Sequence, residues 1–219
     1  MIAANIQKIN QEIGQHARLI AVSKTKPIEL LQEAYNAGQR LFGENKVQEM
    51  AAKWEQLPKD IQWHMIGHLQ TNKVKYMAGF VDLIHSVDSL KLLEIINKEA
   101  AKNNRKINCL LQVYIASEET KFGLDKGELM ELLEHLKNAP LPNIEIKGLM
   151  GMASNTEDTN QIRREFRNLK QLFEQCKGTT FSGSNQFTEI SMGMSGDYTI
   201  AVEEGSTLVR VGSSIFGSR

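Results

Sequence analysis

The 219-residue chain has only two cysteines, Cys109 and Cys176. Two are too few for a disulfide framework, and each falls within an apolar pattern that predicts a small buried thiol. Charge of one sign is also missing, because 26 basic residues balance 26 acidic ones. That balance removes the usual electrostatic case for a nucleic-acid or anionic-membrane partner. No apolar run approaches the roughly 18 to 20 residues that span a bilayer, and the opening MIAANIQKINQEIG lacks the continuous apolar centre of a secretory signal. The cytoplasm is the expected compartment. No proline-rich or glycine-serine linker, low-complexity tract or close internal repeat divides the chain. What remains is 41% hydrophobic and 24% charged, the mixture of an ordinary compact chain. Its length suits one or two domains or a single α/β barrel.

Eight short apolar segments read as strands, over residues 19–23, 40–42, 63–66, 83–86, 107–114, 144–150, 189–192 and 208–211. Helical spacing of three or four lies between them, in Val47, Met50, Ala51 and Trp54, in Leu129, Leu132, Leu133 and Leu136, and in Phe166, Leu169 and Phe173. A helix over 28–37 has Pro27 at its start and Gly38 past its end. Residues 70–77 and 196–204 predict only brief crossovers. Strands joined by crossover helices run parallel, and eight repeats favour a closed (β/α)8 TIM barrel over an open sheet. Residues 2–13 predict an extra helix, within an N-terminal stretch 1–16 packed outside the barrel. One domain over 1–219 is the economical reading.

Functional groups of a parallel barrel gather where the strands end. The first strand ends in Ala21-Val22-Ser23-Lys24. A lysine there is partly desolvated, and Lys26 as a nearby cation favours a neutral amine able to attack an aldehyde. The plainer alternative is a Lys24 ammonium pointing to water, with Lys26 a solvated charge. Ser191-Met192-Gly193-Met194-Ser195-Gly196-Asp197 ends strand seven, and Gly212-Ser213-Ser214 follows strand eight before a short helix start. The two turns are adjacent in a barrel and are its customary phosphate site, though each alone reads as a mere turn.

Arg210 shares a strand face with Gly212. Facing the lumen, it needs an acceptor, either a neutral ring nitrogen or a carboxylate such as Glu44 or Glu189. Asn45 is placed either to orient a ligand oxygen or to cap the helix that follows. His64 and His68 are four apart, but Gly67 breaks the helical geometry, no HExxH or CxxC accompanies them, and a core or hydrogen-bonding role is the better reading. His85 alternates with apolar neighbours and carries no assignment. No G-x-S-x-G elbow, Walker loop or G-x-G-x-x-G turn is present. A strand-one lysine facing a phosphate cradle suits a phosphorylated aldehyde bound as a Schiff base.

Together, Ala21-Val22-Ser23-Lys24-Thr25-Lys26-Pro27, Phe42-Gly43-Glu44-Asn45, Trp63-His64-Met65-Ile66-Gly67-His68-Leu69-Gln70, Gly148-Leu149-Met150, Ser191-Met192-Gly193-Met194-Ser195 and Val209-Arg210-Val211-Gly212 resemble the pyridoxal phosphate homeostasis protein family. The match runs in order from about residue 19 to residue 217. The resemblance implies a barrel similar to the N-terminal domain of alanine racemases and ornithine decarboxylases, with pyridoxal 5′-phosphate (PLP) on Lys24. It implies phosphate loops at Ser191, Met192 and Ser195 and at Gly212 with Ser213, Arg210 facing the pyridine nitrogen, and Asn45 in the pocket. Such proteins look like carriers or regulators of vitamin B6 that influence amino-acid and keto-acid pools, with PLP-dependent apoenzymes or amino acids as partners and a monomeric state.

An arginine partner leaves the ring nitrogen unprotonated, which weakens the electron sink that racemases and decarboxylases use. Only seven residues follow Gly212, too few for the further domain that completes a racemase site. A carrier without turnover is therefore expected. The alternatives are a minimal PLP-dependent racemase and a Schiff-base aldolase on a sugar phosphate.

Overall fold

The computed structural model describes residues 1–117 and 122–217. Eight strands, β1 (Arg18–Val22), β2 (Leu41–Glu44), β3 (Gln62–Met65), β4 (Leu83–Val87), β5 (Ile107–Gln112), β6 (Ile144–Met150), β7 (Glu189–Met194) and β8 (Leu208–Val211), close into one barrel in sequence order. Every pair is parallel, and β8 returns to β1 with Ile20 opposite Arg210. The expected (β/α)8 architecture is present, with strand ends within a few residues of those predicted. Strand five ends two residues early, at Gln112, because Val113 makes only an isolated bridge with Leu124.

The helices follow from their sequence signals. α2 (Ile28–Asn36) starts after Pro27 and ends before Gly38, whose φ of 96° suits glycine. α3 (Val47–Gln56) and α4 (Leu90–Lys102) follow β2 and β4, and Ser89 caps α4 through Leu92 N–H. α5 (Lys126–Asn138) opens on a capping box between Asp125 and Glu128. α6 (Thr159–Gly178) buries Ile162, Phe166, Leu169, Phe173 and Cys176 on one face. The crossover after β3 is a short 3₁₀ helix, Thr71–Tyr76, and that after β7 is α7 (Tyr198–Glu203). α1 (Ile2–Ile13) buries Ile2, Ile6, Ile9 and Ile13 outside the barrel, and Asn5 donates to the carbonyl of Ile215 in the last helix, α8 (Ser213–Phe216).

Two cores result. The large one lies between strands and helices, and a small plug of Ile20, Leu83, Leu110, Met150 and Leu208 fills the lumen. Both cysteines are buried, Cys176 with its thiol pushed up to about 11 and Cys109 higher still, so neither supplies a thiolate. Among the described residues no helix is long and apolar enough to cross a membrane.

Candidate functional site

Residues two positions beyond the plug on β4 and β8, His85 and Arg210, lie one layer nearer the strand ends. His85 Nδ1 is 2.8 Å from Ser191 Oγ. Because β4 and β7 do not pair, that contact can only cross the lumen. Arg210 Nη1 donates to the carbonyl of Ser191 at 3.0 Å and to Ser191 Oγ, and Nη2 donates to the carbonyl of Gly151 at 3.1 Å. All three acceptors are neutral. The carboxylate partners considered for Arg210 are engaged elsewhere, Glu44 with Lys53 and Glu189 with Arg18. Burial lowers the Arg210 pKa to about 10, partly opposed by Asp197, so the guanidinium keeps its charge at neutral pH.

Lys24 stands half-buried at the end of β1, in a tight turn closed by Lys26 N–H donating to the carbonyl of Ser23 at 3.0 Å. Thr25 follows at φ 63°, an unusual conformation for a side-chain-bearing residue. Three contacts hold the turn. Lys53 Nζ donates to the Ser23 carbonyl at 2.7 Å, Thr25 N–H donates to Glu49 Oε1 at 2.6 Å, and Ser23 Oγ donates to Glu44 Oε1 at 2.6 Å. Lys53 also bridges Glu44 and Glu49, each at 2.7 Å. Burial pushes the Glu44 carboxyl up, against the pull of Lys53 and Ser23. Lys26 is no solvated charge beside Lys24, for its Nζ donates to the carbonyls of Phe216 and Gly217 at 3.4 and 3.0 Å.

The turns after β7 and β8 meet, as Gly212 N–H donates to Ser195 Oγ at 3.2 Å. Gly193 permits the bend. Its φ is 95°, and a Cβ there would stand 2.5 Å from that of Ala201 in α7. Asp197 closes the turn by accepting from Met194 N–H at 2.5 Å. Ser195 is half-buried and Ser213 exposed at this rim. Met192, by contrast, puts its side chain in the outer core, and Ser191 lies deeper, committed to Arg210 and His85. Asn45 lines a cleft with Met65, His68, Gln70 and Lys73 at the ends of β2 and β3. It is not the helix cap considered for it, because α3 starts one residue later with Lys46 at the N-cap and no side-chain cap. His68 is exposed and stacks on Phe122, while His64 is buried, so their four-residue spacing brings no shared site.

Sequence reasoning missed the supports. Glu49 and Lys53 were visible as an i, i+4 pair on a helix, but nothing local showed that the pair reaches the turn of β1.

A family model described as the alanine racemase N-terminal domain matches residues 1–219. The pyridoxal phosphate homeostasis protein of Aquifex aeolicus is 41% identical, over 100% of this chain and 95% of that one. The chain belongs to the pyridoxal phosphate homeostasis protein family. The human member is likewise 41% identical, over 92% of this chain and 76% of its own. Among solved structures, PipY of Synechococcus elongatus without PLP superposes with a TM-score of 0.93 at 36% identity, covering 99% of this chain and 100% of that one. PipY with PLP bound gives 0.89 at 35% identity, with the same coverage. The alanine racemase of Bartonella henselae, at 21% identity and a TM-score of 0.73 over 99% of this chain and 58% of that one, shares the fold.

Proposed function

We propose that this protein binds pyridoxal 5′-phosphate at the strand-end mouth of the barrel, attached through the Lys24 amine, and serves as a carrier or regulator of the cofactor within vitamin B6 homeostasis. The observation that carries the reading is Arg210, a buried cation on the strand beside β1, whose following turn carries Lys24, hydrogen-bonded only to neutral acceptors among the described residues. Such a group fits a neutral ring nitrogen, which accepts without adding charge. The joined turns at Ser195, Gly212 and Ser213 fit the phosphate end, and Asn45 borders the same mouth. Homologues named for PLP homeostasis and the PLP-bound PipY support the assignment.

When bound, PLP supplies an aldehyde that amines engage and a ring that can withdraw electrons. The residues here favour holding over turnover. Arg210 stays protonated at pH 7 and so donates a hydrogen bond without releasing a proton to the ring nitrogen. The turn carrying Lys24 is fixed from below by Lys53 and Glu49, which keeps the amine at the rim where another amine can replace it. One domain performs this role, with apoenzymes or free amines as recipients. Borohydride reduction of wild-type protein with PLP should leave the cofactor's mass on the peptide containing Lys24, and Lys24→Ala should leave none. Equal trapping in the variant overturns the assignment. A panel of amino acids incubated with the loaded protein should show no racemisation, and turnover would favour the racemase alternative.

A further inference from the structure

Two buried histidines stand in the lumen outside the set assigned above. His85 Nε2 lies 2.9 Å from His64 Nδ1, and His85 Nδ1 lies 2.8 Å from Ser191 Oγ. At one end of this line Arg210 donates to Ser191 Oγ. At the other, His64 Nε2 is 3.5 Å from Asp82 Oδ2, on a residue just before β4 whose side chain is 43% exposed. Five groups thus form an unbranched series from the strand starts to the guanidinium.

The ends dictate the direction of every bond. A carboxylate only accepts, so His64 carries its proton on Nε2 and leaves Nδ1 as acceptor. His85 then donates from Nε2 and has a bare Nδ1. The Ser191 hydroxyl donates to that nitrogen and turns a lone pair to Arg210, which only donates. All donors point away from Arg210 toward Asp82. Burial holds both rings neutral, lowering His85 well below and His64 below the ordinary imidazole value. The charged groups facing the pair are Asp82, Arg18 and Glu189 at the strand starts and Arg210, with Asp197 beyond it, at the strand ends. A proton on His85 Nδ1 would put a second cation beside Arg210 and turn the serine hydrogen away.

We infer that His85 and His64 are positioning residues that lock the Ser191 hydroxyl and through it aim the Arg210 guanidinium at the ligand ring. The functional part rests on the reading that Arg210 meets the PLP ring nitrogen, whereas the tautomer chain is a property of the ligand-free protein. The two are tested separately.

In ligand-free protein labelled with 15N-histidine, His64 and His85 should both give neutral, Nε2-protonated signals with a bare Nδ1 from about pH 8 down to the ordinary imidazole value of about 6.5. Asp82→Asn, whose amide can donate, should shift His64 and, through it, His85. An Nδ1-protonated or charged His85 in that range overturns the chain, whatever PLP does. In visible-absorption titrations with PLP, His85→Leu should bind about tenfold more weakly than wild type with a displaced maximum. His85→Asn, which keeps an acceptor near the Nδ1 position, should stay within about threefold. A leucine variant with wild-type affinity and spectrum overturns the positioning role. Should wild-type protein itself fail to bind PLP, the cofactor reading falls, while the histidine signals still decide the chain.

Discussion

A methyl group on Gly148 would stand 1.7 Å from the carbonyl oxygen of Glu189, on the neighbouring strand, at a φ of 155°. The backbone cannot yield there without parting β6 from β7, two residue pairs before Ser191. Gly148→Ala is therefore expected to cost about 3 kcal/mol, at the upper end of ordinary overpacking, read as a lowered denaturant midpoint. Other single residues were legible to different degrees. Lys24 and Arg210 stood out because a charged residue just after or within an apolar strand needs a physical reason. His85 did not, since alternation between Ile84 and Ser86 shows a face but not what stands across a lumen. Met192 shares the motif with Ser191 yet sends its side chain to the outer core, because a strand directs alternate side chains to opposite faces.

Between elements, the clearest dependence is of the β1 turn on α3. Lys53 is buried between Glu44 and Glu49 and holds the Ser23 carbonyl, so removing it strands the fully buried Glu44 carboxylate. Lys53→Met should cost roughly 3 to 5 kcal/mol, as when one member of a buried pair is deleted. The double variant Glu44→Gln with Lys53→Met should lose clearly less than the single one, because no uncompensated charge remains. Equal losses in urea unfolding would show that packing of the lysine stem, not charge, dominates. The same support predicts that Lys53→Met weakens PLP trapping at Lys24 beyond its effect on stability.

Over the whole molecule, burial of charge couples folding to protons. His64 and His85 have depressed folded pKa values, so below about pH 6.5 the unfolded chain takes up protons that the folded barrel refuses. Their contribution is complete at pH 8 and is lost as pH falls, at most about 1.4 kcal/mol per pH unit for each ring. Glu44 acts oppositely, its raised pKa favouring the folded state as pH falls toward that of the unfolded carboxyl. The informative measurement is therefore a difference: His85→Asn should lose less stability than wild type between pH 7 and pH 5, and parallel slopes would contradict a neutral buried His85. Eight strands, their parallel order, the extra helix and the lysine at a strand end were all readable from periodicity and stop signals, because these depend on residues close in the chain. Which groups share the lumen was not readable. Closure of β8 on β1 brings Arg210 beside the strand that leads into the Lys24 turn, sets Ser191 opposite His85 and joins Ser195 to Gly212. These contacts arise between segments far apart in sequence, where local patterns of hydrophobicity carry no information about partners.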